Sequence, residues 1–461
     1  MVTEKIQIKP ARKELPGRCI YISRSLREAL NIPSGARVRL TCGRNSLFAQ
    51  FVSIRKEHSL VSIHPELLNE LSLPLHPFAS SMTYDPRVKT VNLGPVIAVL
   101  TECERAGLPQ SLGKMDGFCR ELASCSLEKG VLFYVFDLSG YKKSEMRGYT
   151  LCQDTWLESS VPLPDAVHNR LHSRALEQSE AFMEMSSDFI RERIPYFNDR
   201  FLNKWEVHQI LSQAGELAPH LPRTELLASK SVFEMMVKLF PVVFLKPASG
   251  SLGRRIFRIS QTDDGYELDY STFSGHLLRH YVSADELFKS LYPRIKEEAF
   301  IIQEGISLLT FQDRPLDFRI LCHKRNMAEW AVTSAVARVS AENQFVANLA
   351  RGGSQHPIKR ILEESFAADD AFHIRKLLNE LSIEISKALS MYAGGLFGEF
   401  GVDLAVDLEG RPWIIEVNTK PSKHQDDRTA AGPRPSARAI IDYSLFLCQT
   451  GREKDESGGV L

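Results

Sequence analysis

The chain lacks any apolar run near the 18 residues that would mark a membrane-crossing helix. It also lacks an N-terminal segment with a charged start and an apolar core. These absences predict a cytoplasmic protein, or one that reaches a surface only by assembling there. Cysteine is sparse: eight in 461 residues, scattered and with no Cys-x-x-Cys pair. That excludes a disulfide framework or a zinc ribbon and predicts reduced, mostly buried thiols. Net charge is absent too, with 57 Lys/Arg against 57 Asp/Glu. Bulk electrostatics therefore give no reason to expect binding to nucleic acid or to a membrane surface. No low-complexity tract or internal repeat is apparent. No Ser-His-Asp or Cys-His arrangement can be argued, and no Gly-Lys-Ser/Thr sequence closes a Walker loop.

What is present is ordinary globular composition, 43% hydrophobic and 25% charged, enough for roughly two to four domains. Residues 18–54 read as short strands with turn punctuation and predict a small barrel. In the first 60 residues 12 Lys/Arg stand against 4 Asp/Glu, so a basic N-terminal module can dock an anionic partner or simply present a solvated surface. Leu73 to Pro77 reads as the barrel's exit. Val96–Leu100 and Val131–Phe136 are buried-strand runs with a helix around Met115–Ala123 between them, which is α/β texture. One long helix is expected over Ser173–Glu192. The expected division is 1–90, small and β-rich; 91–200, α/β; 201–450, mixed α and β; and a flexible tail, 451–461.

The most informative stretch is a hairpin. Gly398 to Val406 and Trp413 to Pro421 flank Asp407-Leu408-Glu409-Gly410. Folding about Glu409-Gly410 sets Asp403 opposite Glu416, and Asn418 shares the face of Glu416. Like charges directly opposed are destabilising. A hard cation such as Mg²⁺ resolves the repulsion and uses the oxygens of Asp403, Glu416 and Asn418. The bland alternative is an exposed hairpin with solvated carboxylates.

Other pieces are weak singly. Lys246 ends a strand and precedes Ser249-Gly250-Ser251-Leu252-Gly253, a loop whose backbone N–H groups can close over phosphate. Many hairpins carry such residues. Gln303-Glu304-Gly305-Ile306 ends an apolar strand and can wall an adenine. Asp317 and Arg319 share a strand face, which in isolation reads as a structural ion pair. Asn348 precedes Gly352-Gly353 in what is otherwise a loop. Trp205, Trp330 and Trp413 read as core aromatics.

Their order is more specific than any member. Lys204, Lys246 with its loop, Gln303 to Ile306, Asp317-Phe318-Arg319, Asn348, then Asp403, Glu416 and Asn418 resemble the ATP-grasp superfamily over about 200–425. Asp-x-Arg, Asn-Leu-x-Arg-Gly-Gly and Glu-Val-Asn-x-x-Pro resemble the branch with ribosomal-protein glutamate ligases and glutathione synthetases. Leu93 to Ile97, Pro162 to Asp165, Asn169-Arg170, Phe197 to Trp205 and Gly398 to Asp403 resemble the YheC/YheD-type, spore-coat-associated proteins of endospore formers. The resemblance implies an α/β (α+β) ATP-grasp fold behind an α/β domain and a small N-terminal β-barrel. It implies ATP and Mg²⁺ as cofactors. Lys204, Lys246, Ser249, Gly250, Ser251, Gly253 and Asn348 would hold phosphates; Gln303, Glu304 and Ile306 the adenine; Asp317 the ribose. Arg319 and Lys246 would be catalytic, and Asp403, Glu416 and Asn418 would hold metal. The implied activity is carboxylate–amine ligation through an acyl phosphate, with unidentified carboxylate and amine partners that include peptides or coat proteins. The implied location is the cytoplasm or the spore coat, and a homo-oligomer fits the branch. The alternatives are a coat-assembly protein that binds ATP without turnover, and an ATP-grasp kinase. One departure stands out: Val346 replaces an arginine of the related ligases, and Arg338 is the residue placed to compensate. Glu399, Lys420, Arg170, Asn198 and Arg200 are candidates for the substrate pocket.

Overall fold

The computed structural model describes all residues except 1, 16, 36, 56, 104–111, 143–144, 251–254, 273–274, 342–351, 424–431 and 457–461. Four sheets follow one another along the chain.

The first is a closed barrel of β1 (Thr3–Pro10), β2 (Cys19–Ser23), β3 (Arg37–Cys42), β4 (Asn45–Ile54), β5 (Leu60–Ile63), β6 (Phe78–Asp85) and β7 (Thr90–Leu93), with α1 (Arg24–Ala29) and α2 (Pro65–Glu70). Its exit is therefore after Leu93. Leu73 to Pro77 only joins α2 to β6. The barrel also contains a repeat, marked in sequence by Leu26, Leu30 and Pro33 recurring as Leu67, Leu71 and Pro74. The order strand, short helix, strand occurs as β2-α1-β3 and again as β5-α2-β6. Both helices end the same way. Leu30, Asn31 and Ile32 donate their N–H groups to Leu26, Glu28 and Arg27 oxygens at 3.0 Å each. Leu71, Ser72 and Leu73 donate to Leu67, Asn69 and Leu68 at 3.0, 3.0 and 2.7 Å. Asn31 and Ser72 both sit at positive φ, 58° and 55°. The shared element is a backbone turn, which different side chains satisfy equally well.

The second sheet holds β8 (Val96–Leu100), β9 (Leu132–Phe136), β10 (Tyr141–Lys142), β11 (Glu145–Cys152), β12 (Thr155–Ser160), β13 (Ala166–Asn169) and β14 (Tyr196–Phe197). β8 lies parallel to both β9 and β13. β8 and β9 are wholly buried, as parallel strands covered on both faces must be. One face completes the barrel core; the other packs under α3 (Asp116–Lys129). The expected long helix is two helices, α4 (Arg174–Glu177) and α5 (Glu180–Arg191). The break is a new cap, in which Ser179 Oγ accepts from Phe182 N at 3.3 Å.

α6 (Lys204–Gln213) leads into the third sheet: β15 (Thr224–Leu226), β16 (Val242–Pro247), β17 (Phe257–Thr262), β18 (Gly265–Thr272), β19 (Gly275–Tyr281) and β20 (Phe300–Glu304). Its core is closed by α7 (Lys230–Leu239) and α8 (Ala284–Ile295). The fourth sheet holds β21 (Thr310–Phe311), β22 (Arg314–Lys324), β23 (Trp330–Val339), β24 (Ser354–Pro357), β25 (Glu399–Val406) and β26 (Pro412–Asn418). Phe318, Ile320, Cys322, Phe400, Val402, Leu404 and Val417 make its buried face, against α9 (Ile358–Ser365) and α10 (Ala368–Tyr392). Strand alternation then turns Asp317, Arg319, His323, Glu399 and Asp403 to the opposite face. The last helix, α11 (Pro435–Glu456), packs back on α3 and runs past the point where a flexible tail was expected.

Candidate active site

The hairpin β25–β26 has the register read from the sequence. Asp403 faces Glu416, Val402 faces Val417 and Gly401 faces Asn418. Nearer the turn the ladder slips by one residue, so that Leu404 faces Ile414. Ile415 absorbs the slip, and the carboxylate pair lies on its register-preserving side. The turn is closed by Asp407, whose Oδ1 accepts from Glu409 N at 3.0 Å and Arg411 N at 2.9 Å. Gly410 takes φ +86°, and Asp407 Oδ2 accepts from Trp413 Nε1 at 2.9 Å. Trp413 is thus a half-exposed strand residue beside the turn, and Trp205 is half-exposed as well; of the three expected core tryptophans only Trp330 is buried.

Register also decides the charge pairs. Arg319 opposes Asp403 across β22–β25 and binds it through two nitrogens, the second bond at 2.9 Å. Asp317 opposes Arg338 across β22–β23 and accepts two bonds from it, both 2.6 Å. Arg338 also lies 3.1 Å from Asp403. Asp317 and Arg319 share a face as expected, but each pairs across the ladder. Burial pushes Asp403 up, yet Arg319 and Arg338 outweigh it and hold the carboxyl below its usual range. Asp317 goes the other way: burial and nearby Asp403 lift it to about 6 against the pull of Arg338.

Two lysines approach this face from the third sheet's side. Lys204 opens α6, whose cap is Asn203 Oδ1 accepting from Glu206 N at 2.8 Å. Its Nζ donates to Gly250 O at 2.6 Å and sits 3.2 Å from Glu416. One side chain therefore ties the loop after β16 to the hairpin. Lys246, at the end of β16, donates to Gln303 Oε1 at 2.6 Å. Burial pushes Lys246 down to about 8, with Glu416 opposing and Lys204 reinforcing. Gln303 donates onward to Thr224 Oγ1 at 3.0 Å. The N–H of Glu304 is taken by Arg223 O at 2.8 Å, so the strand's edge is already partly satisfied. Ser249 is exposed and Gly250 half-buried at the loop's start. Ser251, Gly253 and Asn348 lie outside the described residues, as does Val346.

Four of the five proposed pocket residues are buried, and Arg200 is half-exposed. Glu399 is fully buried, and it sits 3.0 Å from Arg170 Nη1, 3.0 Å from His323 Nε2 and 3.7 Å from His168 Nε2, with Lys423 closer still. Arg170, fully buried, also donates to Pro421 O at 2.7 Å. Asn198 Oδ1 accepts from the N–H groups of Gly398 and Glu399, both at 3.1 Å. Arg200 is held by Glu206 at 2.7 Å. Lys420 is buried on Glu177, where burial pushes it down to about 8. These groups clamp the second sheet to the fourth and do not line a pocket. Sequence reading missed this clamp. Its signal was present: Glu399 is in phase with Asp403, and His323 with Arg319 and Asp317.

Among the described residues no three His, Cys, Asp or Glu side chains converge as a ready-made metal cage. Two carboxylates and the amide of Asn418, whose Nδ2 lies 3.5 Å from Asp403, are what the hairpin offers. Hard oxygen donors on one ladder face fit Mg²⁺ by chemistry.

Residues 193–447, more than half of the chain, match the family described as YheC/D like ATP-grasp, and the chain belongs to that family. It is 29% identical over 370 residues to the endospore coat-associated protein YheD of Bacillus subtilis (strain 168), covering 79% of this chain and 80% of that protein. It is 22% identical over 359 residues to YheC of the same organism, an endospore coat-associated protein, covering 75% and 94%. Among solved structures it is similar to the ATP-grasp ligase PsnB complexed with minimal precursor, at 15% identity and TM-score 0.42, covering 78% of this chain and 99% of that one. It is also similar to the D-alanine-D-alanine ligase from Coxiella burnetii, at 11% identity and TM-score 0.44, covering 78% and 97%. No helix among the described residues is long and apolar enough to cross a membrane.

Proposed function

We propose that the protein is an ATP- and Mg²⁺-dependent carboxylate–amine ligase that works at the endospore coat. The division 1–90, 91–200 and 201–450 belongs to the same proposal, with the cleft between the third and fourth sheets as its working part. The carrying observation is the register that sets Asp403 against Glu416 beside Arg319, with Lys204 reaching Glu416 from the other side.

In this reading Lys246, Lys204 and the loop from Ser249 bind the ATP phosphates, Asp317 takes the ribose and Gln303 to Ile306 border the adenine. Asp403, Glu416 and Asn418 would hold Mg²⁺, which supplies charge neutralisation between the phosphates when bound. Arg319 stabilises charge on the phosphoryl group in flight. A substrate carboxylate oxygen forms a bond to the γ-phosphorus as the bond to the β,γ-bridging oxygen breaks, and ADP leaves. An amine nitrogen then forms a bond to the acyl carbon, phosphate leaves and the amine loses a proton. No protein nucleophile is required.

A second reading is an ATP-binding coat-assembly protein without turnover. It is favoured by the names of both relatives, which record a location and no reaction. Calorimetry with Mg·ATP on wild type and E416Q tests the site. Binding in the wild type that is lost in E416Q supports the assignment; equal binding in both refutes it. ADP and free phosphate released with an amide product distinguish a ligase from a kinase or a silent binder.

A further inference from the structure

Beside the hairpin stands an arginine that forms no ion pair among the described residues. Arg174 opens α4 in the second sheet's region, and its guanidinium lies 4.7 Å from the ring centre of Phe201. Lys420 approaches the same ring at 4.6 Å. Lys420 has a partner in Glu177, which holds two further donors, Asn169 Nδ2 at 2.9 Å and Phe201 N at 3.1 Å. Glu416 is engaged by Lys204. Arg174 is near enough to feel both carboxylates, but it forms no ion pair among the described residues. Its one hydrogen bond among the described residues is a long 3.4 Å donation to Leu202 O.

A half-buried guanidinium with most donors unspent is placed to take an anion through charge-assisted bonds. We propose that Arg174, held against Phe201, is the fork that receives the carboxylate of the substrate. This rests on the ligase reading and gives it a place for the acceptor, between α4 and Glu416. The phosphates already have Lys204, Lys246 and Arg319. Arg174 is left for the other anion that the reaction requires.

The test measures ADP release with Mg·ATP and a panel of acetate, L-alanine, L-glutamate and a short peptide with a free C-terminus. For a carboxylate that stimulates the wild type, R174Q should raise its half-saturating concentration roughly 10- to 100-fold, the scale of a lost charge-assisted bond. The half-saturating ATP concentration should stay within about twofold. An unchanged carboxylate dependence, or a shift in ATP instead, overturns the proposal. As a second measurement, phenylglyoxal labelling of Arg174 in the wild type should be slowed by the carboxylates and not by Mg·ATP alone. Labelling indifferent to every carboxylate also overturns it. Protection without any stimulated ADP release would leave the anion site standing and refute the ligase reading.

Discussion

Replacing Glu399 by Gln removes one negative charge from a place that water does not reach. The carboxylate is fully buried between Arg170 and Lys423, with His323 3.0 Å away on a third side. Burial alone would push its pKa up, yet Lys423 and Arg170 outweigh it and hold it well below the usual range. Glutamine keeps the shape and loses the charge, so two buried cations lose their shared counter-ion. Removing one partner of a buried pair costs about 3–5 kcal/mol. For a folding unit of roughly 150–250 residues that is a fall of about 6–20 °C in midpoint. Thermal and urea melts followed by tryptophan fluorescence suit the case, because Trp156 and Trp330 are buried on the two sides of the clamp. The pH dependence gives a second check. A carboxyl with a depressed folded pKa contributes stability above its unfolded value near 4.5 and loses it as pH falls further. The gap between wild type and E399Q should therefore be full at pH 6–7 and shrink below about 4.5. A variant within about 1 kcal/mol of wild type at pH 7 would refute the argument. So would a gap that grows on acidification.

His168 stacks on Phe197 at 4.6 Å, and neither ring nitrogen has a hydrogen-bond partner among the described residues. Burial pushes its pKa down to about 3, so the unfolded chain binds its proton first as pH falls below 6.5. Wild type should lose up to roughly 1.4 kcal/mol per pH unit across that window, and H168F should flatten the slope in pH-dependent urea melts. Lys246, held near 8, carries its charge at pH 7 and sheds it above 8. Mg·ATP affinity by calorimetry should fall as pH rises through that value, and K246R should move the fall beyond pH 9, because a guanidinium stays charged there.

The hairpin was legible because strand period and turn chemistry fix which residues oppose each other. Asp403, Glu416 and Asn418 came out on one face although the turn carries a one-residue slip, which falls beyond them at Leu404 and Ile414. The barrel strands and the parallel pair β8–β9 were legible for the same reason, an apolar period that matches the backbone. What escaped was long-range or backbone-borne. Nothing local in the sequence says that Arg170 meets Glu399, which lies 229 residues away. The barrel repeat is carried by turns at Asn31 and Ser72, which share a conformation and, at an offset of 41, few side chains beyond Leu26/Leu67, Leu30/Leu71 and Pro33/Pro74. The helix break at Ser179 was readable, since serine before Glu180 is a good cap, but the apolar period ran on through it.

The sealed clamp and the open cleft have a common logic. In the clamp, Glu399 is locked between fixed cations with no room for a ligand, so its charges hold two sheets in register. In the cleft, Asp403 is neutralised by Arg319 and Arg338, Glu416 by Lys204, and Asp317 shares Arg338. Under the proposed function those ion pairs would have to exchange. A divalent cation can take the carboxylates only if the arginines and the lysine find other anions, and phosphate oxygens are such anions. Under the proposed function, metal and nucleotide would enter together, each supplying counter-ions that lower the cost of admitting the other. The same electrostatics explain why β22, β25 and β26 tolerate so many charges on one face without a ligand: at Asp403 and Glu416 the cleft keeps its own counter-ions in place until better ones arrive.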